Sequence, residues 1–83
     1  MYYIYLLRSK KDSNFYIGYS SDLRKRFLQH NSGEVESTRN RRPLELLYYE
    51  AYDSKEMAEN RERKLKDFGS AYNALLKRLN LRA

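Results

Sequence analysis

The sequence has no cysteine, no tryptophan, one proline, one histidine and three glycines in 83 residues. Without cysteine, neither a disulfide nor a thiolate-held metal can staple the fold, and a lone histidine excludes a histidine-rich metal cage. No apolar run approaches the roughly 18 residues of a bilayer-spanning helix, and no charged-then-apolar signal peptide opens the chain. These absences predict a cytoplasmic protein with no membrane partner. No linker, internal repeat or low-complexity tract divides the chain, so residues 1–83 read as one domain. A chain this short buries only about 60% of its unfolded surface, which leaves room for one core held by packing alone. Nine tyrosines suit that task.

Charge of one sign is in surplus. Seventeen Lys and Arg against eleven Asp and Glu give a net charge of +6 and a pI near 9.7. Such a balance favours a polyanionic partner, nucleic acid first among them.

Along the chain, YYIYLLR at residues 2 to 8 is β-branched, aromatic and aliphatic, as a strand covered on both faces would be. Residues 9 to 14 are a polar connection, and Phe15-Tyr16-Ile17 begins a second strand that breaks at Gly18. Tyr3-Ile4-Tyr5 is expected to pair with Tyr16-Ile17-Gly18. Ser20-Ser21-Asp22 is a helix-capping signal. At 100° per residue the next helix places Leu23, Arg26, Phe27 and His30 on one side. Two polar residues thus share an apolar face, which demands partners for both.

Asn31-Ser32-Gly33 stops this helix, with Gly33 or Asn31 suited to a left-handed cap. Residues 34 to 43 have no apolar periodicity and read as a loop carrying Arg39, Arg41 and Arg42. Pro43 suits the start of a third strand, Leu44 to Tyr52. Ser54 opens a helix whose inward face is Met57, Ala58, Leu65 and Phe68, with Arg61 near its centre and Glu62 at its margin. Gly69 ends it and Ser70 caps the last helix, striped by Tyr72, Leu75, Leu76 and Leu79. The order β-β-α-β-α-α predicts an α+β domain, a three-stranded antiparallel sheet flanked by helices.

The paired tripeptides YIY and YIG, followed by DLRKRFLQH, resemble the signature of the GIY-YIG nuclease superfamily, its small stand-alone bacterial members in particular. Tyr3 stands where the superfamily name has Gly. The resemblance covers most of the chain and implies a divalent-metal-dependent endonuclease that hydrolyses DNA phosphodiesters, structure-selective and weakly sequence-specific. It implies one Mg²⁺ or Mn²⁺ and no organic cofactor, with roles such as DNA repair, defence or turnover all open.

It also assigns residues. Tyr5 and Tyr16 correspond to the active-site tyrosines, one of which helps to activate the attacking water. Taken singly, a strand tyrosine is ordinarily a packing residue with its hydroxyl tied to a neighbour. A phenol titrating near ~10 is also a poor base at neutral pH unless positive charge assists it. Arg26, ten residues after Tyr16, corresponds to the arginine that holds the scissile phosphate, and a guanidinium's planar fork fits that task. His30 corresponds to the histidine ending this helix, where it orients a tyrosine or passes a proton. Glu62, in AENRERKLK, matches the metal ligand; one carboxylate with water and phosphate oxygens makes a reasonable Mg²⁺ shell. A salt bridge from Glu62 to Lys66 or Arg61 is the competing role, with Glu59 and Glu50 as substitute ligands. Asn73 and Asn80 are the candidates for a further polar residue of the family.

Arg24, Lys25, Arg39, Arg41, Arg42, Lys64 and Lys66 are expected to contact nucleic-acid backbone, since nothing here looks like a base-reading helix. Two other functions fit the same residues, a catalytically idle nucleic-acid-binding module and a protein-interaction factor.

Overall fold

The computed structural model describes residues 1–82. Strands β1 (Tyr2–Ser9), β2 (Phe15–Ser20) and β3 (Leu44–Tyr52) form one antiparallel sheet in the order β2-β1-β3. Helix α1 (Leu23–Ser32) follows the hairpin, a short 3₁₀ turn (Arg39–Arg41) precedes β3, and α2 (Lys55–Lys66) and α3 (Ser70–Arg78) complete the domain. This is the α+β order expected from the sequence.

The central strand β1 sends alternate side chains to two different cores. Ile4 and Leu6 join Ile17, Ala58, Leu65, Tyr72, Leu75 and Leu76 beneath α2 and α3. Tyr5 and Leu7 join Leu44, Tyr16, Leu23, Phe27 and Leu46 beneath α1. A bulge in β3 adjusts this alternation: Leu6 faces Tyr48 but Leu7 faces Leu46. The extra residue lets Leu47 and Tyr48, consecutive in sequence, both pack on the α2/α3 side.

Several local expectations are corrected. Strand β2 runs through Gly18 to Ser20, and the hairpin register sets Tyr3–Tyr5 opposite residues 18 to 20, so Tyr5 faces Gly18 and Leu7 faces Tyr16. The loop before β3 contains the 3₁₀ turn. Met57 and Phe68, expected inside, are 55% and 58% exposed; α2 buries the narrower stripe of Ala58 and Leu65. Asp67 caps the C-terminus of α2, and Gly69, not Ser70, is the N-cap of α3, with no side-chain hydrogen bond. The other caps are as read: Asp22 accepts from Lys25 N, Ser54 accepts from Met57 N, and Gly33 takes the left-handed conformation at φ 84°.

Two clamps fix the segment between α1 and β3. Asn31 uses its amide like a strand backbone, donating to Leu44 O at 2.9 Å and accepting from Leu44 N at 2.7 Å. The buried Ser9 hydroxyl donates to Arg41 O at 2.6 Å. This polar stretch is therefore held against the sheet.

Candidate active site

Register brings the first two site residues together. Tyr5 and Tyr16 lie on the same face of adjacent strands, their ring centroids 6.5 Å apart. The Tyr5 ring crosses the bare backbone of Gly18, where a Cβ would stand 2.2 Å from Tyr5 Cζ. Glycine is required there by contact with the tyrosine. His30, wholly buried, reaches in from α1. Its ring centroid is 5.6 Å from that of Tyr5 and 5.1 Å from that of Tyr16, both edge-on.

The imidazole is hydrogen-bonded at both nitrogens, Nε2 to Tyr5 Oη at 2.8 Å and Nδ1 to Thr38 Oγ1 at 2.7 Å. Burial, with Arg26 adding to it, lowers the His30 pKa to about 4, so the ring is neutral at pH 7. Burial pushes the Tyr5 phenol up to about 12, against the opposing pull of Arg26 and with Tyr16 and Glu62 adding to the rise. Both groups are thus uncharged and locked, and the charges around them belong to Arg26 and Glu62. Arg26 is half-buried, and its Nη1 donates to Gln29 Oε1 at 3.3 Å. Together with Tyr19, Lys25 and Gln29 it lines an open cleft at the start of α1. On α2, Glu62 is paired with Lys66 at 3.2 Å, and Lys66 Nζ stands 6.0 Å from the Tyr16 ring centroid.

A comparison with known families matches residues 1–80 to the GIY-YIG catalytic domain. The chain belongs to the GIY-YIG nuclease family. A UPF0213 protein of Staphylococcus saprophyticus is 41% identical over 68 residues, covering 81% of this chain and 82% of that one. A UPF0213 protein of Streptococcus pyogenes is 48% identical over 61 residues, 72% of this chain and 65% of its own length. Among solved structures, the solution NMR structure of a UPF0213 protein from Bacillus halodurans superposes with a TM-score of 0.59 at 34% identity, covering 95% of this chain and 85% of that one.

Within this GIY-YIG domain Tyr5, Tyr16 and His30 form one contact cluster, and Arg26 and Glu62 lie close enough for their charges to act on Tyr5. The alternatives to Glu62 lie elsewhere. Glu50 is on the α2/α3 side, accepting from Arg61 Nε at 2.9 Å, Tyr48 Oη at 2.5 Å and Tyr52 Oη at 2.6 Å. Burial alone would raise the Glu50 pKa, but these donors outweigh it and hold the carboxyl at about 2. Glu59 is exposed, and Asn73 and Asn80 line a separate depression beside α3.

The cationic residues divide. Arg24, Lys25 and Lys64 are exposed without hydrogen bonds from their charged groups among the described residues. Arg41 is spent internally, paired with Asp12 at 3.1 Å and donating to Phe15 O. Arg39 donates to Gly33 O, and Arg42 donates to Arg39 O, while both stay exposed.

Sequence reasoning missed Thr38 and the reason for Gly18. Thr38 is wholly buried, yet it sits in a polar stretch without periodicity. A buried histidine that needs a second partner was the one available signal.

Proposed function

We propose that this GIY-YIG domain, residues 1–83 acting as one catalytic unit, is a divalent-metal-dependent endonuclease that hydrolyses DNA with weak sequence specificity and selects for irregular structure. The observation that carries the reading is the convergence of a tyrosine pair and a neutral, doubly bonded histidine with one guanidinium and one carboxylate within electrostatic reach.

The donor set fits a single hydrated cation. No group of three His, Cys, Asp or Glu side chains is gathered among the described residues, so no all-protein cage is available. Glu62 is a partly exposed carboxylate, suited to an ion such as Mg²⁺ or Mn²⁺ that retains water and takes further oxygens from phosphate. When bound, the ion supplies Lewis-acid stabilisation of charge building on the phosphate. Lys66 balances Glu62 from the next helical turn.

The chain's own residues do the rest. Arg26, steadied by Gln29, holds the scissile phosphate and meets the negative charge that grows on its oxygens. Tyr5, its pKa about 12, keeps its proton at pH 7 and acts as a hydrogen-bond donor or orienting group, not as a base. Tyr16, less buried and beside Lys66, orients the attacking water. Exposed Arg24, Lys25 and Lys64 supply sequence-independent backbone contacts, so affinity falls steeply with salt.

Purified protein with Mg²⁺ or Mn²⁺ is expected to cut nicked, branched or single-stranded DNA. Arg26→Ala and Glu62→Ala should each lower the rate by about 100-fold or more. Cleavage unaffected by either substitution would remove the assignment.

A further inference from the structure

The geometry points to Thr38 as a positioning residue: its hydroxyl donates to His30 Nδ1, fixes the imidazole as the Nε2–H tautomer, and so turns the Tyr5 hydroxyl proton away from His30. The inference rests on reading the cluster of Tyr5, Tyr16, His30 and Arg26 as the hydrolytic site, and it adds a direction to the hydrogen bonds within it.

Counting protons decides between the two tautomers. Three groups in series, Thr38 Oγ1, the His30 ring and Tyr5 Oη, are joined by two contacts of 2.7 and 2.8 Å. A neutral imidazole carries one proton and one acceptor lone pair. If Nδ1 carried the proton, it would donate to Thr38 Oγ1 and Nε2 would accept from Tyr5. The Thr38 hydroxyl proton would then need another acceptor, and among the described residues this buried hydroxyl has no hydrogen-bond partner besides His30. A buried donor left unpaired loses its hydration with nothing to replace it.

The opposite order satisfies every interior donor. Thr38 O–H donates to Nδ1, Nε2–H donates to Tyr5 Oη, and the Tyr5 proton is left for the side of the phenol where Arg26, Glu62 and Tyr16 lie. The last donor of the chain is thereby aimed where a phosphate oxygen or a water would sit. The titratable and charged groups facing the ring are Tyr5 from β1, Tyr16 from β2 and Arg26 from its own helix; none offers Nδ1 a proton.

His30 is the only histidine, so its ring nitrogens can be followed by ¹⁵N NMR in the intact, metal-free protein. At pH 7 the wild type should show Nε2 protonated and Nδ1 as an acceptor. Thr38→Val, nearly isosteric, should move the Nδ1 resonance towards that of an unbonded ring nitrogen, and Thr38→Ser should leave it in place. In cleavage assays Thr38→Val should reduce kcat about tenfold with KM little changed, and Thr38→Ser should restore it. A wild-type ring protonated at Nδ1, or an Nδ1 resonance indifferent to Thr38→Val, overturns the assignment. A wild type that cleaves nothing while the NMR result holds would sink the nuclease reading and leave the tautomer intact.

Discussion

The two faces of the sheet are built on different principles. On the α2/α3 side, Ile4, Leu6, Ile17, Leu65, Leu75 and Leu76 form an apolar core, and the partly buried Glu50 carboxylate is saturated by Arg61, Tyr48 and Tyr52. On the α1 side the interior contains Tyr5, His30 and Thr38, buried polar groups that hydrogen-bond to one another in a row. The first face stabilises the domain by removing apolar area from water. The second gives up some of that gain to hold Tyr5, His30 and Thr38 at fixed positions. The apolar core and the tyrosine–histidine cluster are thus served by the even and odd residues of a single strand, β1.

The contrast breaks most readily from the apolar side. Leu6→Ala, at a fully buried position, should cost about 3–5 kcal/mol, seen as a lower urea midpoint. An equally large loss from Leu28→Ala, on the exposed side of α1, would contradict the division.

Acid separates the faces next. The His30 pKa is about 4 when folded against 6.5 when free. The unfolded chain therefore binds the proton more readily, and stability present above pH 6.5 is lost as pH falls towards 4. The Glu50 carboxyl, about 2 against 4.5, retains its contribution until pH falls below 4.5 and loses it towards 2. Each window is worth up to about 3 kcal/mol. Unfolding free energy measured across pH should fall in two stages, with the upper stage absent in His30→Gln and the lower absent in Glu50→Gln. A single stage unaffected by His30→Gln would show that the site face does not titrate as described.

The smallest expected stability effect sharpens the contrast. Gly18→Ala places a methyl against Tyr5 and should cost about 1–3 kcal/mol, yet it should abolish most cleavage by moving the phenol. Near-normal cleavage in a folded Gly18→Ala protein would mean that the position of Tyr5 is not critical.

The elements were largely legible because they rest on local rules. The limits of β3 follow from Pro43 before it and Ser54 after it, and those of α1 from Asp22 and Gly33. The stripe of Tyr72, Leu75 and Leu76 is a period that burial respects. Met57 misled because α2 buries only the narrow stripe of Ala58 and Leu65, and Phe68 because it lies past the end of α2, in the left-handed backbone region at φ 55°. At the site, the residue types came from a motif, but their partners depended on register and on a tethered loop. That Tyr5 faces Gly18 and not Tyr16 follows from the hairpin offset, and Thr38 reaches His30 only because Asn31 and Ser9 pin the segment between. Spacing along the chain encodes neither.

The bulge in β3 has a practical consequence for anyone reshaping this domain. Because two neighbouring side chains there point the same way, Leu47 is a spare count in a strand that otherwise admits none. Removing one residue at that spot should straighten the ribbon and leave Tyr49 and Leu44 on their present sides, whereas the same deletion further along would exchange greasy for polar across half the molecule.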